Sequence, residues 1–107
     1  MGLLPSAVGF LRSDVSGLRQ SQDEMGIRRA AKRTGYELRK TIVFGERTED
    51  RVRRLRVAID RLGVEAVIVP SAEHFDGGAI PAELLEVAAV ITASPEQVWG
   101  RTHRSTC

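Results

Sequence analysis

Val64-Glu65-Ala66-Val67-Ile68-Val69-Pro70 is a nearly continuous apolar run, preceded by Gly63 and closed by proline. A strand that is apolar on both faces has to be covered on both faces, the condition of a parallel sheet packed between helices. The residues before it supply one cover. Val52, Leu55, Ala58, Ile59 and Leu62 fall on one stripe of a helix whose other positions hold arginines and Asp60, and Gly63 stops it.

The same alternation extends in both directions. Upstream, Ala7-Val8-Gly9-Phe10-Leu11 reads as a buried first strand and Thr41-Ile42-Val43-Phe44 as a β-branched second one. Between them, Ser21-Gln22-Asp23-Glu24 has capping-box spacing and predicts a helix start. Ile27, Ala30, Ala31 and Thr34 give that helix its apolar face, and Gly35 ends it. Downstream, Pro81 suits the first turn of a short helix over Ala82 to Val87, and Ala88 to Thr92 reads as a fourth strand. Ser94-Pro95-Glu96-Gln97 repeats the cap signature and predicts a final helical turn carrying Trp99.

The order β-α-β-α-β-α-β predicts one three-layer α/β domain, residues 1–100, with a mainly parallel four-stranded sheet, and a frayed tail over 101–107. The expected core is Val8, Phe10, Ile42, Val43, Val52, Leu55, Ile59, Val67, Ile68 and Val69. At 107 residues the chain buries roughly two-thirds of its unfolded surface, enough for a single core.

Composition narrows the function classes. Apolar stretches fall short of the about 20 residues that span a bilayer, and the N-terminus lacks the basic and apolar regions of a signal peptide. With Cys107 as the single cysteine, an internal disulfide is impossible. A cytoplasmic protein without membrane contact is expected. From Gly26 to Arg61 there are twelve Lys/Arg against five Asp/Glu, whereas Leu62 to Gly100 holds six acids and no base. That asymmetry would suit a nucleic-acid surface, but the net charge is only +2 and fourteen of the sixteen basic residues are Arg, a bias that GC-rich coding produces by itself.

Nucleotide-binding glycine motifs are missing from the loop Arg12-Ser13-Asp14-Val15-Ser16-Gly17, so no nucleotide cofactor is expected. His74, His103 and Cys107 are too few to predict a metal centre. Ser71, His74 and Asp76 have the residue types of a hydrolase triad, but three residues of one short loop seldom reach triad geometry, and chance proximity is the expectation.

Three blocks carry a more specific signal: Phe10-Leu11-Arg12-Ser13-Asp14, then Gly35-Tyr36-Glu37-Leu38, then Ala66-Val67-Ile68-Val69-Pro70-Ser71-Ala72-Glu73-His74-Phe75. Together they resemble, in order and spacing, the catalytic domain of the serine recombinases of the resolvase/invertase family, over roughly Ala7 to Thr92. The resemblance implies a resolvase-like fold and an active site at Arg12, Asp14, Glu73 and His74. In that family the first strand ends in an aromatic residue, any residue, Arg, any residue and the nucleophilic Ser. The third strand leads into Asp-Arg with a further Arg three residues on.

The departures bear on chemistry. Arg12 matches, but Asp14 holds the nucleophile position, and Glu73, His74 and Gly77 replace the family's Asp and two Arg. Loss of even one cation around a transferring phosphoryl group typically costs two to four orders of magnitude in rate. Arg51, Arg53 or Arg54 stands near the family's arginine at the start of the second long helix, and Arg12, Arg53 and Arg54 are the candidate nucleic-acid contacts. Members of the family continue into a long dimerisation helix and a helix-turn-helix domain, so sequence-specific DNA binding is not expected of these 107 residues. The resemblance therefore implies an inactive relative, a non-catalytic interaction or regulatory module with a protein partner or a second copy, binding DNA weakly if at all. Two alternatives stand beside it: an active site-specific DNA recombinase working with a partner, and a small-molecule-binding α/β module using the loops around Arg12 and Glu73.

Overall fold

The computed structural model describes residues 4–101. Strands β1 (Ser6–Arg12), β2 (Glu37–Phe44), β3 (Ala66–Val69), β4 (Ala89–Ala93) and β5 (Glu96–Trp99) form one sheet in the order β2-β1-β3-β4-β5. The first four are mutually parallel, and β5 pairs antiparallel with β4. The helices are α1 (Ser13–Ser16), α2 (Gln20–Thr34), α3 (Arg51–Leu62) and α4 (Ala82–Leu85).

Strand alternation divides the core in two. Val8, Phe10, Val67, Val69 and Val90 meet Leu55 and Ile59 of α3 and Leu84 of α4. Ala7, Leu11, Ala66, Ile68 and Ile91 meet Ile27, Ala30 and Ala31 of α2 on the other face. Small residues let α2 lie close to the sheet. Gly9 is one point of close approach, where an added Cβ would stand 2.9 Å from Ile27 Cγ2 and 2.7 Å from Thr41 Oγ1.

The sheet has a fifth strand where the sequence predicts a helical turn. Glu96 pairs with Ala93 and Trp99 with Val90, and the Thr92 hydroxyl donates to the Pro95 carbonyl at 2.6 Å across the turn. Trp99 packs against the α3 side of the core, a long-range contact that outweighs the local cap signature. The capping box at Ser21 is not used either. Helical structure already begins at Ser13 and passes through a 3-10 turn, Gly17–Arg19, whose Gly17 carbonyl accepts the Gln20 N–H. Ser21 therefore lies inside α2 rather than at its start.

Three expected core residues sit further out. Val43 is 42% exposed. It belongs to the edge strand β2, where the register shifts opposite Ala7/Val8 and Val43 points away from the face on which Ile42 and Phe44 pack. Ile42 and Val52 are half-buried. The fourth strand runs one residue later than expected, and the helix before it ends at Leu85. The expected tail over 101–107 lies, apart from Arg101, outside the described residues. Among the described residues no helix is long and apolar enough to cross a membrane.

Candidate functional site

In a sheet ordered 2-1-3, the connections from β1 and β3 leave toward opposite faces, and ligands in such folds bind beyond the carboxyl ends of those strands. Here β1 ends at Arg12. Past β3 the chain runs through 3-10 turns at Ala72–His74 and Asp76–Gly78, separated by Phe75. Phe75 is buried against Phe10 (ring centroids 5.6 Å apart), which in turn meets Phe44 edge-on at 5.5 Å. This aromatic row ties the β3 loop to the ends of β1 and β2. The tie places His74 under the β1 end and Asp76 over it.

His74 is 3% exposed, and its Nδ1 accepts the Arg12 backbone N–H at 2.9 Å. Its Nε2 faces Asp23 Oδ2 at 3.9 Å, the same oxygen that accepts from the Ser16 hydroxyl at 2.6 Å. Burial pushes the imidazole below its ordinary value and the Arg12 charge adds to this, while Asp23 and Glu73 act the other way. Accepting at Nδ1 works in the same direction as burial, since a protonated ring would have to give up that bond.

A pH signature follows. With a depressed folded-state value, His74 stays neutral in the native protein while the unfolded chain takes up a proton below about 6.5. Its contribution to stability is full above that pH and is lost as the pH falls from there toward the folded value. The melting temperature is expected to drop between pH 7.5 and 5.5, and His74→Asn, which keeps an acceptor and cannot titrate, is expected to flatten the drop. An unchanged slope in His74→Asn would mean that another group sets it.

Arg12 is clasped by Asp14 through both carboxylate oxygens, Nε to Oδ1 at 3.1 Å and Nη2 to Oδ2 at 2.6 Å. Its remaining Nη1 reaches Asp76 Oδ1 at 3.0 Å. The hydrogen bonds from Arg12 hold the Asp14 carboxyl below its usual range, and the same bonds raise the guanidinium. Arg51, the first residue of α3, points its Nη1 at the same Asp76 oxygen at 3.4 Å, and its Nη2 donates to the Glu46 carbonyl at 2.8 Å and the Gly45 carbonyl at 3.3 Å. Its Nε is buried without an acceptor among the described residues. No family model, curated protein or solved structure matches the chain.

Of the residues singled out from sequence, Arg12, Asp14 and His74 are brought together. Glu73 is exposed and takes no part in the hydrogen bonds of this cluster, although its charge reaches His74. Arg53 and Arg54 are exposed on the first turn of α3 and lie outside it, Arg54 donating to the Glu49 carbonyl at 2.9 Å. Of the three arginines at the start of α3 that the sequence offers, Arg51 is the one whose guanidinium turns toward the cluster.

Asp76, Asp23 and Ser16 complete the cluster, and no spacing rule pointed to their roles. Ser71, His74 and Asp76 do not form a triad: both imidazole nitrogens face other partners, and Asp76 is engaged by arginines. Among the described residues no group of three or more His, Cys, Asp or Glu is placed to hold a metal ion. His103 and Cys107 lie outside the described residues.

An open groove of about 1190 Å³ runs from Asp76 and Arg51 along α3. It is lined by five arginines and six carboxylates, a balance that does not favour a polyanion.

Proposed function

We propose that this domain is a serine-recombinase-like module that has lost DNA strand cleavage and acts as an interaction or regulatory module, through a protein partner or a second copy of itself. The observation that carries this reading is the two-pronged Asp14–Arg12 pair at the end of β1. At the position corresponding to the nucleophile stands a carboxylate, which cannot make a phosphoserine-type link to a broken DNA end. The one matching arginine is neutralised by it.

The other substituted positions support the same reading. A buried His74, held neutral by its surroundings, and Gly77 stand where the resemblance calls for arginines. Phosphoryl transfer draws most of its acceleration from cations fixed around the transferring oxygens. Arg12 and Arg51 are the cations present, and Asp14 and Asp76 cancel them.

Incubation of the protein with duplex oligonucleotides, followed by denaturing electrophoresis, is expected to trap no covalent protein–DNA adduct. An adduct would overturn the proposal. Measured in parallel, DNA affinity is expected to be negligible and flat with salt. A steep loss of affinity on raising salt would signal several phosphate contacts and favour a recombinase acting with a partner.

A further inference from the structure

Two guanidiniums on different elements, one ending β1 and one opening α3, converge on a single carboxylate oxygen at Asp76. The burial of the three side chains is unequal. Arg12 and Arg51 are each 15% exposed, whereas Asp76 is 79% exposed. The cations are thus fixed parts of the fold, and the anion lies over them from outside.

Each arginine also has hydrogen-bond partners other than Asp76. Arg12 is held from one side by Asp14, and Arg51 by the carbonyls of Gly45 and Glu46. Asp76, by contrast, belongs to a turn with no buried residue, in which Gly77 and Gly78 have φ of 73° and 67°. The buried Phe75 before it and the half-buried Ile80 after it anchor the ends of this turn to the core. An ion pair whose acid partner is largely solvated contributes little to stability, so it can open at small cost.

The fork geometry of a guanidinium accepts a carboxylate and a phosphate alike. We propose that Arg12 and Arg51 form an oxyanion site that Asp76 fills from within, so that the Asp76–Gly78 turn is a carboxylate latch which swings off when a phosphate group binds. The latch goes beyond the loss of strand cleavage and does not depend on it. With the latch closed, Asp14 and Asp76 balance the two arginines. With it open, one positive charge is uncovered at the switch point of the sheet, facing the groove along α3.

The test is calorimetric titration of the full chain with inorganic phosphate and, separately, with a duplex oligonucleotide. Asp76→Asn is expected to bind phosphate at least about tenfold more tightly than wild type, a gain that converts to about 1.4 kcal/mol. The double variant Asp76→Asn/Arg51→Gln is expected to lose that gain. In the wild-type protein, saturating phosphate is expected to shift the backbone amide resonances of Asp76 and Gly77 as the turn leaves. Gain confined to inorganic phosphate assigns a free phosphate as ligand, and an equal gain for the oligonucleotide assigns a backbone phosphate.

No gain with either ligand, in a variant with the wild-type circular dichroism spectrum, would overturn the latch and leave Asp76 a structural ion-pair partner. If Asp76→Asn fails to fold, Asp76→Ser and the wild-type resonance shifts decide, and unmoved Asp76 and Gly77 resonances at saturating phosphate would again overturn it. A covalent DNA adduct from the wild-type protein would remove the non-cleaving reading and leave the latch standing. Unchanged phosphate affinity in Asp76→Asn would do the reverse.

Discussion

Leu55→Ala is expected to cost about 2–5 kcal/mol, measured as the change in unfolding free energy in urea. Leu55 is fully buried at the centre of α3, in the cluster that includes Val8, Phe10, Val67, Val69 and Leu84. Truncation removes three side-chain carbons from that cluster. The helix is held on one side by the sheet, so it cannot close the space by moving, and the cost should lie well above the transfer term alone. Stability of this order is a large part of what a domain of this size possesses. A change under about half a kcal/mol would mean that the apolar stripe of α3 does not face the sheet.

The opposite operation is expected at Gly9. Gly9→Val places carbon atoms where Ile27 Cγ2 and Thr41 Oγ1 already stand within 3 Å of an added Cβ. Thr41 lies on the half-buried edge strand and can give way, but Ile27 of α2 is fully buried against the sheet. Relief requires α2 to lift from β1. Overpacking of this kind typically costs about 1–3 kcal/mol. Gly9→Ala should cost less than Gly9→Val, and Ile27→Ala should partly rescue Gly9→Val by making room. Additivity of the two substitutions, measured as a double-mutant cycle, would show that α2 does not approach β1 at this point.

Both expectations rest on features of unequal legibility. The α3 stripe and the apolar run of β3 were plain in the sequence, since the 3.6-residue period of Leu55 and Ile59 and the unbroken apolarity of Val67 to Val69 each admit one environment. Val43 reads as core because a β-branched residue looks alike on a covered face and on an edge strand such as β2. Glu96–Trp99 reads as a helical turn because Ser94-Pro95-Glu96-Gln97 satisfies a local rule that Trp99 overrides by packing on the core.

The same split holds at the site. Arg12, Asp14 and His74 are the residues the resemblance implies, and they meet because they stand at or beyond the carboxyl ends of the adjacent strands β1 and β3. Arg51 and Asp76 were not assigned their roles, because their meeting depends on the path of the 45–50 loop and on a turn with left-handed glycines, neither of which has a periodic signal. Asp23 reaches the cluster only because helical structure starts at Ser13 and carries Ser16 and Asp23 along one continuous path.

The proposed loss of strand cleavage is tested most directly by placing a serine at the position where the resemblance implies the nucleophile. Asp14→Ser, run beside the wild-type protein in the adduct-trapping assay on duplex DNA, supplies the hydroxyl but not the charge. On the proposed reading the positions of two cations remain occupied by a buried neutral His74 and by Gly77, and serine without them is a weak nucleophile. Both proteins are expected to give no covalent adduct and no cleaved strand. Efficient cleavage by Asp14→Ser, or an adduct from the wild-type protein, would contradict this reading, because Arg12 and Arg51 would then be shown to supply the charge that the reaction needs.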